Sequence, residues 1–295
     1  MKFMRDSFLD NVYQQMACNK DIFVLSADVG APALDKIRKD YPERFINTGI
    51  AEQNTINLAT GLALEGYQVY AYGISAFFLR AVDQLRNSLL LSHQCTPLNV
   101  TLLSTGKGIS YETAGPTHHC LEDISTFNVF PGMELYVPSD AVMAGSMAYK
   151  FTGKGVKYFC CDGKKVPSIY PDKYDFDFTD GFIVRGTGKR ACIVSMGGMI
   201  VLAEEVRTHM LSKGIEIGLI DLFTPTEFNK KKLKSILTSY EKVISLDEGY
   251  REESVLSVRV QQLLYGTGIS LHKFGFDRKY IFEPGPREMH YKNAG

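Results

Sequence analysis

Apolar side chains recur along this chain at two alternating periods, and the changes of period mark the predicted helices and strands. Residues 4–19 place apolar positions at helical spacing. The segment DIFVLSADVG that follows is a short apolar run ending in a Gly turn, which is typical of a buried strand. The pattern therefore begins with a helix followed by a strand.

The same alternation continues to about residue 161. Strands are predicted at FINTG, QVYAYGIS, PLNVTLLST, MELYVPS and VKYFCC. Helices are predicted at AEQNTINLATGLALEG, FLRAVDQLRNSLLLS, CLEDISTFNVF and DAVMAGSMAYKF. Strands that alternate with helices predict an α/β fold, with a mostly parallel sheet between two layers of helices.

A change of composition divides the chain. Pro, Gly, Asp and Lys are frequent between residues 162 and 189, where the apolar pieces are short. We therefore predict a first three-layer domain at 1–165, a linker at 166–188 and a smaller α/β domain at 189–295. No closing helix is predicted at the C-terminus.

Charge and cysteine content narrow the class of protein. Thirty-three basic residues balance thirty-three acidic ones, so no net field attracts nucleic acid or an anionic membrane. No stretch approaches the roughly 20 apolar residues of a membrane span. The six cysteines lack CxxC spacing, which favours buried, reduced thiols over a zinc site or disulfides. We expect a cytoplasmic protein that acts on small molecules.

Glu52 is the first candidate for chemistry. It lies in the opening turn of a predicted helix, directly after a strand and a glycine. The helix dipole alone favours a glutamate there, without any catalytic role. However, the segments SAFFLRAVDQLRN and YETAGPTHHCLEDIS also follow predicted parallel strands, so these loops converge at one sheet edge. Convergence makes a site there plausible.

Two further pairs of residues lie in these loops. His118 and His119 stand at or near the start of a predicted helix, where imidazoles can act near neutral pH, although a structural turn is equally consistent with them. Phe77 and Phe78 are adjacent, so one of them can line a pocket while the other joins the core.

Six motifs carry a resemblance that covers nearly the whole chain. GIAEQN, the SxFxxRxxDQ spacing of Ser75 to Gln84, and GPTHH together resemble the pyrimidine domain of transketolase and of deoxyxylulose-phosphate synthase. IVSMGGMIVLAEEV, GIEIGLIDLFTPTEFN and VISLDEG are similar to the transketolase C-terminal domain. GIAEQ is a weak signal alone, whereas the ordered set is specific.

The resemblance implies a thiamine diphosphate site. The family's glutamate at the position of Glu52 hydrogen-bonds N1′ of the aminopyrimidine and promotes the tautomer that deprotonates thiazolium C2. A family phenylalanine at the position of Phe77 stacks on the pyrimidine ring. Ile50 is the third expected cofactor contact.

The resemblance also assigns substrate contacts. His118 matches the histidine that contacts the substrate's hydroxyl or carbonyl oxygens, and His119 is a further candidate. The family aspartate before GPTH, which reads the donor's hydroxyl stereochemistry, is Ala114 here. Tyr111 or Glu112 is the candidate replacement, and the preferred donor is left open.

This sequence also departs from the family pattern in the positive charge expected near the substrate. Relatives carry an arginine for the substrate phosphate where this chain has Cys160. Lys107 or Lys164 is the candidate source of a replacement charge. Arg80 is a candidate substrate contact, because the synthase branch has an arginine at that position.

The resemblance implies a partner subunit. The family's GDG run and following asparagine, which hold the diphosphate through Mg²⁺, are absent from this sequence, and no metal ligands are predicted in this chain. We therefore expect an N-terminal-half transketolase subunit, two copies of each chain (α2β2), and ketol transfer between sugars. A decarboxylating synthase, a 2-oxo-acid dehydrogenase beta subunit and a catalytically silent partner are the alternatives.

Overall fold

The computed structural model, which describes residues 1–294, begins with a six-stranded parallel sheet. Its strands are β1 (Ile22–Ser26), β2 (Phe45–Asn47), β3 (Gln68–Ile74), β4 (Asn99–Thr105), β5 (Met133–Tyr136) and β6 (Gly155–Cys161). They lie in the order β2-β1-β3-β4-β6-β5, which confirms the predicted open parallel sheet. The carboxyl ends of all six strands therefore lie along one edge.

Helices cover both faces of this sheet. They are α1 (Met4–Cys18), α2 (Pro32–Asp40), α3 (Glu52–Leu64), α4 (Ser75–Phe78), α5 (Val82–Gln84), α6 (Leu91–Cys95), α7 (Asp123–Phe127) and α8 (Ala141–Lys150). A π-helical segment, Leu85–Leu90, joins α5 to α6. The amphipathic helix predicted from residue 78 is thus present, with two local changes of helical pitch.

Strand β3 shows why strands of the first sheet have apolar residues at nearly every position of their sequence. Val69 and Ala71 join a core cluster on one face of the sheet, while Tyr70 and Tyr72 join a second cluster on the other. Successive side chains of a strand point to opposite faces, so a sheet covered on both sides needs apolar residues at every position.

The second sheet is smaller and mixed. Its strands are β7 (Phe182–Gly186), β8 (Ala191–Ser195), β9 (Gly218–Leu222), β10 (Lys242–Tyr250) and β11 (Ser270–Phe276), in the order β11-β10-β8-β9-β7. Its helices are α9 (Ile200–Ser212), α10 (Lys230–Leu237), α11 (Val255–Leu264) and α12 (Arg287–Ala294). Two α/β units with sheets flanked by helices are therefore confirmed.

Three local expectations need correction. Strand β7 lies inside the segment 166–188 that was predicted as a linker, and it pairs antiparallel with β9, so this part belongs to the second sheet. The prediction that no helix closes the chain was wrong, because α12 does so. Helix α7 begins at Asp123, several residues after the paired histidines, which lie in the preceding turn.

Hydrogen bonds connect the loops of the first sheet to the second sheet. The carboxylate of Asp221 in β9 accepts hydrogen bonds from Ser139 at 2.6 Å and from Tyr170 at 2.8 Å. The N–H of Val137 donates to the carbonyl of Phe223 at 2.8 Å. The chain segments after β5 and β6 are thus held against the second sheet. No helix within residues 1–294 combines the length and apolar character that a membrane span needs.

Candidate active site

The carboxyl edge of the first sheet collects the segments that the sequence singled out. Helix α3 follows β2, helix α4 follows β3 without a break, and residues 106–122 follow β4. Helix α3 also packs against α4. The predicted convergence of these segments at one sheet edge is confirmed, as expected for parallel strands.

Glu52 is the first residue of α3. The turn before it is held by a 2.6 Å hydrogen bond between the hydroxyls of Thr48 and Thr55. As a whole residue Glu52 is only 4% exposed, and within residues 1–294 no hydrogen bond or ion pair involves its carboxylate, whose oxygens are not fully enclosed. Ile50, two residues earlier, is 83% exposed. A largely buried glutamate with an unpaired carboxylate and an uncovered apolar residue thus lie two positions apart.

The two adjacent phenylalanines have different surroundings. Phe78 is fully buried, and its ring packs edge-on against Tyr158 with centroids 6.3 Å apart. Phe77 is only partly buried and its ring meets the imidazole of His118, with centroids 5.2 Å apart and planes inclined by 67°. Phe77 is therefore the member of the pair that lines the site.

Residues 109–119 form a loop that is closed at its base by a two-residue bridge. Gly108 and Cys120 exchange backbone hydrogen bonds of 2.8 and 2.7 Å. Just before the bridge, residue 106 must be glycine, because its φ is +106° and an added Cβ would lie 2.5 Å from the ring of Tyr111 in the loop. We name residues 106–120 the histidine loop.

His118 is held by three neighbours. The hydroxyl of Thr117 lies 3.0 Å from Nδ1 of its ring, and the rings of Phe77 and Tyr111 approach its sides. Its Nε2 has no hydrogen-bond partner among the described residues. Because Nδ1 is engaged, Nε2 is the nitrogen that remains for a substrate oxygen.

His119 has a different environment from its neighbour. It is 6% exposed, and its ring faces that of His290 in α12 with centroids 6.1 Å apart. Burial, together with His290, lowers the pKa of His119, so the neutral imidazole is favoured. The structure thus directs His119 toward α12, while His118 remains beside Phe77.

The candidate positive charges are separated by the fold. Arg80 is exposed, as a substrate contact requires. Lys107 is buried and binds Asp247 of the second sheet at 2.8 Å. Burial opposes the charged form of Lys107, but the carboxylates of Asp247 and Glu248 outweigh this and raise its pKa. The structure therefore places Lys107 in an interdomain ion pair and away from solvent.

The side chains at two other candidate positions, Lys164 and Cys160, also form contacts with residues of this chain. Lys164 is half-exposed and lies 3.1 Å from the carboxylate of Glu112. Cys160 is fully buried, and its thiol donates to the carboxylate of Asp123 at 3.2 Å. Burial raises the pKa of the Cys160 thiol well above its usual range. Neither residue presents a free positive charge to a phosphate.

Sequence reasoning missed the residues of α12 that reach this region. The guanidinium of Arg287 contacts Glu248 and Asp162, and its backbone N–H donates to Glu112 at 2.8 Å. The sequence signal was Pro286 directly before Arg287, because proline is favoured where helices start. Within residues 1–294, no group of three or more His, Cys, Asp or Glu side chains is arranged to hold a metal ion.

Family models match most of the chain. Residues 2–154 match the model described as the pyrimidine binding domain of transketolase, and residues 181–295 match the transketolase C-terminal domain. A solved structure described as a split gene transketolase, in an inactive beta4 tetramer, superposes with a TM-score of 0.84 at 25% identity. The match covers 98% of this chain and 93% of that one.

Curated relatives agree with these matches. A protein of Phocaeicola vulgatus that is named as a subunit of apulose-4-phosphate transketolase is 26% identical over 265 residues, which are 88% of this chain and 83% of that protein. The protein of the same name from Actinobacillus succinogenes is 28% identical over 87% of this chain and 82% of its own length. Human transketolase-like protein 2 is 29% identical over 80% of this chain, but the match spans only 38% of the human protein. With two family domains in the same order and a common fold over nearly its whole length, this chain belongs to the transketolase family.

Proposed function

We propose that this chain is the C-terminal-half subunit of a thiamine-diphosphate-dependent transketolase and is active only with an N-terminal-half subunit. The observation that carries the proposal is Glu52, a residue only 4% exposed whose carboxylate has no hydrogen-bond or ion-pair partner within residues 1–294. A carboxylate on a mostly buried residue that still opens at the sheet edge can accept a hydrogen bond from a bound ligand. Beside it, Ile50 exposes an apolar side chain that a second surface can cover. Together these features favour half of a site that another chain completes.

The residues present fit the aminopyrimidine half of thiamine diphosphate. Its ring nitrogen N1′ needs a carboxylate partner, which Glu52 supplies, and its flat ring needs apolar contacts, which Phe77 and Ile50 supply. When bound, the cofactor supplies the nucleophilic carbon for sugar chemistry. We assign the diphosphate and Mg²⁺ mainly to the partner, because the GDG run that holds them in the family is absent from this sequence.

The proposed reaction transfers a two-carbon ketol unit from a ketose donor to an aldehyde sugar acceptor. With the cofactor bound, Glu52 would hold a hydrogen bond at N1′. Nε2 of His118 holds or releases a proton at a sugar oxygen, with its ring oriented by Thr117 and Phe77. Arg80 is the exposed cation that we assign to substrate binding. Lys107 and His119, which the fold buries, are left out of the substrate set.

Two relatives suggest a first sugar to test. Both are named as subunits of apulose-4-phosphate transketolase. We include that sugar phosphate in a substrate panel together with unphosphorylated ketoses, because Cys160 presents no positive charge at the position where the family arginine is expected. The assembly that we propose contains two copies of each chain, as closed symmetric pairing is common among soluble oligomers.

The deciding experiment measures thiamine diphosphate binding by calorimetry in the presence of Mg²⁺. This chain is titrated alone, and then together with a candidate N-terminal-half protein encoded near it. We expect tight binding only in the mixture, with ketol transfer and a mass corresponding to α2β2. Tight binding by this chain alone would refute the split site. Release of CO₂ from pyruvate without ketol transfer would instead identify a decarboxylating synthase.

A further inference from the structure

The histidine loop contacts the C-terminal helix as well as the first sheet. The Gly108–Cys120 bridge fixes the two ends of the loop, but it does not fix the segment between them. Inside that segment, the carboxylate of Glu112 accepts a 2.8 Å hydrogen bond from the backbone N–H of Arg287, the first residue of α12. Glu112 therefore caps α12 although 175 residues separate the two in sequence.

The charge on Glu112 is favoured in this position. Its side chain is 21% exposed and lies 3.1 Å from the ammonium group of Lys164. Burial opposes ionisation, but the N–H of Arg287 and the charge of Lys164 prevail and lower the pKa of Glu112. The contact between the histidine loop and α12 thus persists across the neutral pH range.

Arg287 is itself held firmly. Its Nε donates to Glu248 at 2.7 Å, and its guanidinium also lies 2.8 Å from the carboxylate of Asp162. The hydroxyl of Tyr291, one turn further along α12, donates to Glu248 at 2.8 Å. The two carboxylates come from different sheets: Asp162 directly follows β6 of the first sheet, and Glu248 lies in β10 of the second. Helix α12 therefore cannot shift without breaking both contacts.

The carboxylate of Glu248 also limits which residue can stand at the base of the histidine loop. Gly108 has φ of +60°, and a Cβ added there would overlap the side chain of Glu248. At the far end of the loop, the buried ring of His119 faces His290 in α12. Base, middle and end of the histidine loop are thus all in contact with β10 or α12.

We propose that Arg287 and Glu112 are positioning residues, and that α12 sets the location of His118 by holding the histidine loop in place. The second domain then does more than stabilise the first, because it determines where an active-site imidazole stands. The catalytic consequence rests on the proposed function, whereas the ordering of the loop does not. A test must therefore measure both.

The first measurement is hydrogen–deuterium exchange on this chain alone, with mass-spectrometric readout of peptides from residues 109–120. Glu112→Ala removes the cap and leaves the Arg287 ion pairs intact. Because a hydrogen bond to a charged group is lost, we expect these peptides to exchange about tenfold faster, while α3 keeps its wild-type rate. Glu112→Gln retains an oxygen that accepts the N–H of Arg287, so it should restore much of the protection. Glu288→Ala, an exposed change in the same helix, is the control and should exchange as wild type.

The second measurement is turnover in the assembled enzyme. We expect Glu112→Ala to lower kcat/KM about tenfold with thiamine diphosphate affinity unchanged, and Glu112→Gln to recover most of the loss. A folded Glu112→Ala variant whose loop exchanges at the wild-type rate would overturn the proposal. If the wild-type mixture shows no ketol transfer, the proposed function fails, but the exchange result still decides whether α12 orders the loop.

Discussion

The ring of Phe77 meets the imidazole of His118 edge-on at 5.2 Å between centroids, although the two residues follow different strands. Phe77 comes from the helix that continues β3, and His118 from the loop after β4. Since these strands are neighbours in the sheet, their carboxyl ends bring an apolar platform and a titratable nitrogen together. The geometry suits a flat aromatic ring bound beside a sugar oxygen.

Replacing Glu52 tests the assignment of the cofactor's partner. Glu52→Gln keeps the size of the side chain but removes the charge that promotes proton transfer, so we expect turnover of the assembled enzyme to fall roughly 10²- to 10⁴-fold. The measurement is steady-state kinetics with excess partner subunit. Glu65→Gln, an exposed change at the other end of α3, should have little effect. Unchanged turnover in Glu52→Gln would favour a catalytically silent subunit.

The adjacent phenylalanines provide a matched pair. Phe78→Ala empties a fully buried site, and we expect the free energy of unfolding to fall by about 3–5 kcal/mol. Phe77 is only partly buried, so Phe77→Ala should cost about 1 kcal/mol of stability but weaken thiamine diphosphate binding by the complex. Chemical denaturation and calorimetry separate the two effects. Equal losses of stability would show that Phe77 belongs to the core.

The buried ion pair between Lys107 and Asp247 should matter for stability. Lys107→Met leaves the carboxylate of Asp247 buried without its partner, and we expect a loss of about 3–5 kcal/mol in the free energy of unfolding. Adding Asp247→Asn to this variant should recover a large part of the lost stability, because the unpaired charge is removed. The exposed control Lys154→Met should stay within about 0.5 kcal/mol. A mild effect of Lys107→Met on stability with a large rise in KM would instead support a substrate role.

Asp221 should make stability depend on pH. Burial raises the pKa of this carboxyl group to about 6, from an ordinary value of 3.8. The folded chain therefore binds this proton more tightly than the unfolded chain, so the contribution to stability is complete below pH 4 and is lost as pH rises toward 6. At about 1.4 kcal/mol per pKa unit, the loss is roughly 3 kcal/mol.

The comparison of wild type with Asp221→Asn isolates this contribution. Ser139 can turn its hydroxyl to accept from the new amide, so the variant should fold and should gain stability relative to wild type between pH 4 and pH 7. Denaturant unfolding at several pH values gives the difference. A wild-type minus variant difference that stays constant across this range would contradict the assignment. The exposed change Asp172→Asn controls for net charge.

Several features of the first domain could be predicted because they depend on local pattern. The strand that ends before Glu52 and the helix that begins there follow from periodicity and a glycine turn, and α3 starts at that residue. The alternation of strands and helices was sufficient to predict the parallel sheet, and hence the shared edge. The ordered motifs around Glu52, Phe77 and His118 were sufficient to indicate the family.

Other features depended on contacts between distant parts of the chain. Lys107 was a reasonable candidate for a substrate contact until folding placed it against Asp247, 140 residues away in sequence. Helix α12 was missed because its eight residues carry little apolar periodicity. It is held by ion pairs with β10 and with the end of β6. A strand-like segment, β7, was similarly hidden within a polar stretch.

By itself, therefore, the sequence determined most of the helices and strands, the fold class and the three residues around which a cofactor site is proposed. Periodicity and turn chemistry act over a few residues, so they can be read along the chain. The tertiary structure decided which phenylalanine faces the site, which histidine faces α12, and which lysine is enclosed between domains. Burial and ion pairing decide these outcomes, and both depend on groups that only the folded chain brings together.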